Sequence, residues 1–335
     1  MLAAVPFAMS TIWAIILLVG GLIILWKCAE LLVKGAVGLA KRLGVSTLTI
    51  GLTVVAMGTS APEVAASIAA ALRGAGDIAV GNVYGSNIAN LALVGGLCAL
   101  IRPIGIKKQT LLYQMPVMLL VALLLWPVLT NLYLSRVEGV MLLGVFATLI
   151  LLTIFAARRE GGYEPQVMTG ISNDVGKINK PGAFKASMLL VVVGLAGLAF
   201  GADITVRGAV CIGEQIGLSK AVIGLTIIAI GTSLPELVTC LVASVKGQDD
   251  LSIGNLVGSN IFNTLLVTGI AGSVRPFAIG PRLAGVDYWV MIIVSIAFLV
   301  LALIGRRSIG RVSGAILLLG YFGYMTYLLA YTAGI

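Results

Sequence analysis

The chain has 335 residues, 59% hydrophobic and only 10% charged, with a mean hydropathy of +1.10. Soluble domains carry about 25% charged residues, so the composition excludes a water-soluble protein and leaves an all-α integral membrane protein. The net charge of +9 is no nucleic-acid signal here, because the Lys and Arg sit between apolar spans and report topology.

Ten spans follow one another. The first, Thr11 to Val33, continues tilted toward Lys41, and no basic stretch precedes it, so it is read as a transmembrane helix, not a cleaved signal. The second, Val45 to Leu72, carries Gly58-Thr-Ser-Ala-Pro-Glu63. The third, Asp77 to Ile101, holds Gly81-Asn-Val-Tyr-Gly-Ser-Asn-Ile-Ala-Asn90. Leu111 to Leu129 and Val137 to Ala157 complete the first half. Residues 158–182 form the one long polar stretch. The second half then repeats the layout: Ala183 to Glu214, Ser219 to Val245, Leu251 to Val274, Leu283 to Ile304 and Ile309 to Thr332.

The halves share more than hydrophobicity. Gly231-Thr-Ser-Leu-Pro-Glu236 returns the first motif at an offset of 236 − 63 = 173 residues. The same offset pairs Gly81-Asn82 with Gly254-Asn255, Gly85-Ser86-Asn87-Ile88 with Gly258-Ser259-Asn260-Ile261, and Asn90 with Asn263. Glu30 and Lys34 pair with Asp203 and Arg207, Gly44 with Gly217, and Arg102-Pro103 with Arg275-Pro276. Five spans per copy is an odd number, so the second copy enters the membrane from the opposite side. The expected architecture is ten transmembrane helices in two inverted five-helix repeats, 1–157 and 183–335, joined by the loop 158–182. The motif-bearing regions are about 44–103 and about 217–276. Fifteen loop lysines and arginines, Lys41, Arg42, Lys107, Lys108, Arg306 and Arg307 among them, lie on the side of that loop. That side is therefore read as cytoplasmic and both termini as extracytoplasmic, in the cell membrane.

Each motif puts a carboxylate inside an apolar span, one residue after a proline. Helical spacing sets Thr59 and Ser60 beside Glu63, Thr232 and Ser233 beside Glu236, Ser86 beside Asn90, and Ser259 beside Asn263. An ionised Glu in hydrocarbon demands a partner, a cavity or an ion, and Lys220, at the very start of Ser219 to Val245, is the one basic residue in either surrounding span. Oxygen donors without imidazole or thiolate suit hard cations. The chain has no histidine, which excludes histidine-bearing zinc sites and Ser-His-Asp triads. Cys28, Cys98, Cys211 and Cys240 have neither pairing nor metal-ligand spacing and read as small buried hydrophobes. Glu30 with Lys34 and Asp203 with Arg207 read as interfacial salt links or gating contacts, and Lys27 as snorkelling to the interface.

At these paired motifs the chain resembles the calcium/cation antiporter superfamily, the sodium/calcium exchanger-like proteins, and most of all the compact prokaryotic members. The resemblance spans essentially the whole chain. It implies Glu63 and Glu236 as central calcium and sodium ligands, with Thr59, Ser60, Thr232, Ser233, Ser86 and Ser259 adding oxygens. It further implies Ala56 and Ala229 carbonyls, opened by the prolines, at outer sodium positions, and Asn90 and Asn263 completing the ring. Some members carry Asp where Asn263 stands.

The function so implied is a calcium/sodium antiporter working by alternating access, with the ions as cargo, no resident cofactor, and one chain sufficient for transport. A calcium/proton exchanger is the alternative within the class. A cation channel is the rival outside it, and an intramembrane enzyme finds no nucleophile–base pair to support it.

Overall fold

The computed structural model describes residues 10–159, 183–217 and 229–333. The central loop after Arg159 and the expected span between residues 218 and 228 lie outside the described residues.

Helix α1 (Thr11–Leu43) begins where the Ser10 side chain accepts the Trp13 N–H, and ends at Gly44. Lys41 and Arg42 stand in its last turn, where the helix dipole favours cations. The span that carries the first motif is two helices, not one: α2 (Thr47–Thr59) and α3 (Ala61–Leu72), bent by 45° at Ser60. Helix α4 (Gly76–Ile101), α5 (Thr110–Thr130) and α6 (Arg136–Arg159) follow. In the second half α7 (Ala183–Gln215) precedes α8 (Ala229–Thr232) and α9 (Leu234–Val245), which flank the second motif's break at Ser233. Then come α10 (Asp249–Val274), α11 (Leu283–Ile304) and α12 (Arg311–Ala333). Among the described residues, eight helices are long and apolar enough to cross a membrane, and α2 with α3 makes a ninth span.

The two halves are matched down to the backbone. The four described glycines with positive φ are Gly44, Gly74, Gly217 and Gly247, at 65°, 76°, 83° and 73°. They form two pairs at the repeat offset (44 + 173 = 217; 74 + 173 = 247). Each closes a helix in a left-handed turn that a Cβ would strain.

Helix crossings obey the same offset. A Cβ on Gly35 of α1 would lie 2.9 Å from the Ser187 carbonyl and 2.8 Å from Val191 N of α7. Its counterpart Gly208 meets Ala14 and Leu18 of α1 in the same way (14 + 173 = 187; 18 + 173 = 191). The two long helices therefore cross antiparallel. Gly96 of α4 packs on Gly314 of α12, while Gly269 of α10 packs on Gly139 of α6. Small residues let backbones approach where lipid offers no hydrophobic drive between helices.

Two antiparallel pairs of two-residue strands knit the halves at the ends. β1 (Ile104–Gly105) pairs with β4 (Ser308–Ile309), and β2 (Tyr133–Leu134) with β3 (Phe277–Ala278). Beside them, Gly105 N donates to Asp249 at 3.0 Å and Gly280 N to Asp77 at 2.6 Å. Arg102 donates to the Ser244 carbonyl and Arg275 to the Leu72 carbonyl, each capping the motif-bearing helix of the other half.

The match fails at one expected salt link. Asp203 pairs with Arg207 on its own helix at 2.7 Å, as the spacing suggests. Glu30 instead reaches across to Lys246 at 3.1 Å, and to Lys27 at 3.4 Å.

Helices α4 and α10 occupy the centre, and α6 and α12 present apolar faces outward. A leucine at Gly139, where a Cβ would stand 2.6 Å from Ser273 N, is expected to lower the thermal midpoint in detergent by several degrees. Overpacking of this kind costs about 1–3 kcal/mol. Gly144→Leu on the same helix, where nothing lies within 4 Å, is expected to leave the midpoint unchanged.

Candidate ion site

Glu63 and Glu236 stand in the first turns of α3 and α9, each behind a proline near the helix start. Pro is tolerated there because the first turn lacks an intrahelical partner for its N–H. The position also points the positive end of a helix dipole at each carboxylate. Both side chains are 0% exposed.

The break places the hydroxyls across the molecule. At Ser60 the backbone leaves helical geometry (φ −80°, ψ 5°), and Ser233 does the same (φ −91°, ψ 6°). The Ser60 hydroxyl therefore donates to Glu236 Oε1 at 3.0 Å, and Ser233 donates to Glu63 Oε1 at 3.5 Å. Helical spacing had put each serine beside the carboxylate of its own motif. The structure crosses them, because an uninterrupted helix does not exist at that point. Ser86 also faces Glu63, and Thr59 faces Glu236.

The second oxygens, Glu63 Oε2 and Glu236 Oε2, have no hydrogen-bond partner. Neither do Oδ1 and Nδ2 of Asn90, the same atoms of Asn263, or Ser259 Oγ. Asn90 and Asn263, fully buried, sit in wide π-helical turns, Ala89–Val94 and Asn263–Val267. Such turns recur at functional sites. Buried polar groups are normally satisfied, and unpartnered oxygens of this kind are the donors that hard cations take. Among the described residues no group of three or more His, Cys, Asp or Glu is placed to hold a metal ion.

The alanine carbonyls differ from expectation in origin. Pro62 removes the donor that the Gly58 carbonyl would take in a helix (62 − 4 = 58), not that of Ala56. The Ala56 carbonyl accepts the Ser60 N–H at 3.0 Å and lies 3.4 Å from the Thr59 hydroxyl. At the second motif the Ser233 N–H turns instead to Ile230, at 3.1 Å, and Ala229 is the first described residue of that segment. Thr232 is half-buried beside it.

Sequence reasoning passed over the residues behind these ligands. Asn82 donates to the Glu63 carbonyl at 3.2 Å and to Ser67 at 2.9 Å. Asn255 accepts from Thr59 at 3.1 Å. Their register in the repeat was visible, but nothing in their spacing told support from ligation.

Two interrupted helices, each with a buried carboxylate just after its break, inside a multi-pass helical scaffold, are parts that ion transporters use. The model of the family described as sodium/calcium exchanger protein matches residues 13–155 and again 186–330. CaxA of Alkalimonas amylolytica is 41% identical over 312 residues, covering 92% of this chain and 96% of that protein. The sodium/calcium exchanger MaX1 of Methanosarcina acetivorans is 34% identical over 349 residues, covering 96% and 99%. Solved structures of the sodium-calcium exchanger NCX_Mj superpose well. The one soaked with 10 mM Na+ and 10 mM Sr2+ gives a TM-score of 0.79 at 30% identity, covering 95% of this chain and 99% of that one. The chain belongs to the sodium/calcium exchanger family.

Glu63→Gln and Glu236→Gln are each expected to reduce calcium transport at least about 100-fold, as befits the loss of a buried charge worth a few kcal/mol. Size-exclusion profiles and thermal midpoints are expected to stay close to wild type, because a neutral amide is the easier group to bury. Near wild-type transport in both variants would remove these carboxylates from the site.

Proposed function

We propose that this protein exchanges calcium for sodium across the cell membrane by alternating access at a single midplane site. The observation that carries the reading is the crossed arrangement: each carboxylate holds the hydroxyl of the other motif, and the second oxygen of each has no hydrogen-bond partner. Glu63 and Glu236 are the charged ligands. Thr59, Ser60, Thr232, Ser233, Ser86 and Ser259 supply hydroxyls, Asn90 and Asn263 supply amide oxygens, and the Ala56 and Ala229 carbonyls serve the outer sodium positions. Calcium and sodium as cargo accord with the names of MaX1 and NCX_Mj.

The architecture proposed with it is ten spans in two inverted five-helix repeats, 1–157 and 183–335, with 158–182 as a cytoplasmic loop. Support comes from the antiparallel crossing of α1 and α7 and from the double match of one family model. The tenth span adds the segment before α9 to that helix. Both termini face outward, following the excess of Lys and Arg on the opposite side, and one chain suffices for transport.

Coupling follows from charge. Carrying two bare carboxylates through an occluded, low-dielectric state costs several kcal/mol each. One divalent ion, or two or more sodium ions, cancels that charge and lets the carrier turn. The empty carrier is held, so ions cross only in trade.

In proteoliposomes, calcium uptake is expected under an outward sodium gradient and not under an outward proton gradient alone. Uptake driven only by protons would establish the calcium/proton alternative, and calcium flux with no counter-ion on the far side would establish a channel.

Asn263→Asp adds a third carboxyl beside Glu63 and Glu236, and neighbouring carboxylates raise one another's pKa. The new group is expected to hold a proton in the empty site, which calcium must displace. Apparent calcium affinity is then expected to fall more steeply than in wild type as pH drops from about 8 to 6. Asn90→Asp, at the equivalent position, is expected to act alike. Superimposable pH profiles would place both amides outside the site.

A further inference from the structure

Asn255 is fully buried in α10, and its amide joins two other elements. Its Oδ1 accepts the Thr59 hydroxyl hydrogen at 3.1 Å, and its Nδ2 donates to Cys240 Sγ at 3.2 Å. Cys240 is held in turn: its thiol donates to the Ser252 carbonyl at 3.6 Å, while Ser252 Oγ donates to the Cys240 carbonyl at 3.2 Å. The orientation of the amide is thus set from α9, and the acceptor end faces Thr59.

A threonine hydroxyl has one hydrogen and two lone pairs. A cation needs the lone pairs, so the hydrogen has to be directed elsewhere. The structure gives it two acceptors within hydrogen-bond distance, Asn255 at 3.1 Å and the Ala56 carbonyl at 3.4 Å, and Glu236 also faces it. Removing the first turns the hydrogen toward the other two, both of them proposed ligands, where it occupies a lone pair. Sodium, held largely by neutral oxygens, feels that loss more than calcium, held largely by two carboxylate charges. The equivalent Asn82 is bonded differently, to Ser67 and the Glu63 carbonyl.

We propose that Asn255 is a positioning residue that holds the Thr59 hydroxyl hydrogen, and so keeps Thr59 Oγ1 and the Ala56 carbonyl available to sodium. The proposal rests on the reading of Thr59 and Ala56 as ion ligands.

The test is a double-mutant cycle on the purified full-length protein, with Asn255→Leu, Thr59→Val and both together. Sodium and calcium are titrated separately, and ion binding is read from the rise in thermal midpoint. Asn255→Leu is expected to raise the half-effective sodium concentration about three- to tenfold, the range of one hydrogen bond. Calcium is expected to shift less than about twofold. In the Thr59→Val background the Asn255 substitution is expected to change neither value further, the signature of a residue acting through its partner. Additive effects, or equal weakening toward both ions, would overturn the assignment. Asn255→Ala enters the cycle if the leucine variant does not fold. A wild-type midpoint that responds to neither ion would sink the reading of the site and this inference with it. A responsive wild type with an additive cycle would sink this inference alone.

Discussion

Two carboxylates with no exposure to solvent stand where the surroundings are hydrocarbon and helix backbone, and the rest of the molecule answers that constraint. A charge in such a place is tolerable only with oriented dipoles and donors around it. Breaking the helices at Ser60 and Ser233 supplies both at once. The break creates a helix N-terminus behind each Glu, and it swings each serine toward the opposite carboxylate. Because the donor on one carboxylate belongs to the other half, neither motif is a site alone. Association of the halves and formation of the site are one event.

That event requires close approach along several seams. The glycine crossings between α1 and α7, α4 and α12, and α6 and α10 bring backbones together at distances where a Cβ would collide. The short strand pairs and the Arg102 and Arg275 caps tie the ends of each discontinuous element to the other half. In lipid every free backbone group needs a partner, and the Leu72 and Ser244 carbonyls, at the far ends of the motif-bearing helices, find theirs in the opposite half. The strict correspondence lapses where Glu30 holds Lys246 while Asp203 stays on its own helix.

Much of this was legible in the sequence. The apolar spans follow from apolar length, the repeat from Gly, Asn, Pro and Glu in register, and the two buried acids from the Glu in each doubled motif. What was not legible has a common physical origin. Helical spacing assumes an unbroken helix, so it assigned Ser60 to Glu63, when the φ and ψ of Ser60 itself send it to Glu236. It also credited Pro62 with freeing Ala56, although a proline strips the carbonyl four residues back, that of Gly58. Long-range pairs such as Glu30 with Lys246 and Asn255 with Thr59 join segments about 200 residues apart. No local periodicity encodes such pairs, which appear only when the packing is known.

The division of labour among the donors bears on how one site serves two ions. Charge alone treats one calcium and two sodium ions as equals, since either cancels two carboxylates. Discrimination between them has to come from the neutral oxygens, whose number and direction differ for a single divalent ion and for several monovalent ones. Those oxygens are the groups whose hydrogens and lone pairs the surrounding structure controls: Thr59 through Asn255, Ser60 and Ser233 through the opposite carboxylates. A serine hydrogen committed to Glu236 leaves its oxygen free for a cation. Under the proposed ligand set, the carboxylates set how much positive charge the site accepts, and the hydroxyl network sets in what form it arrives.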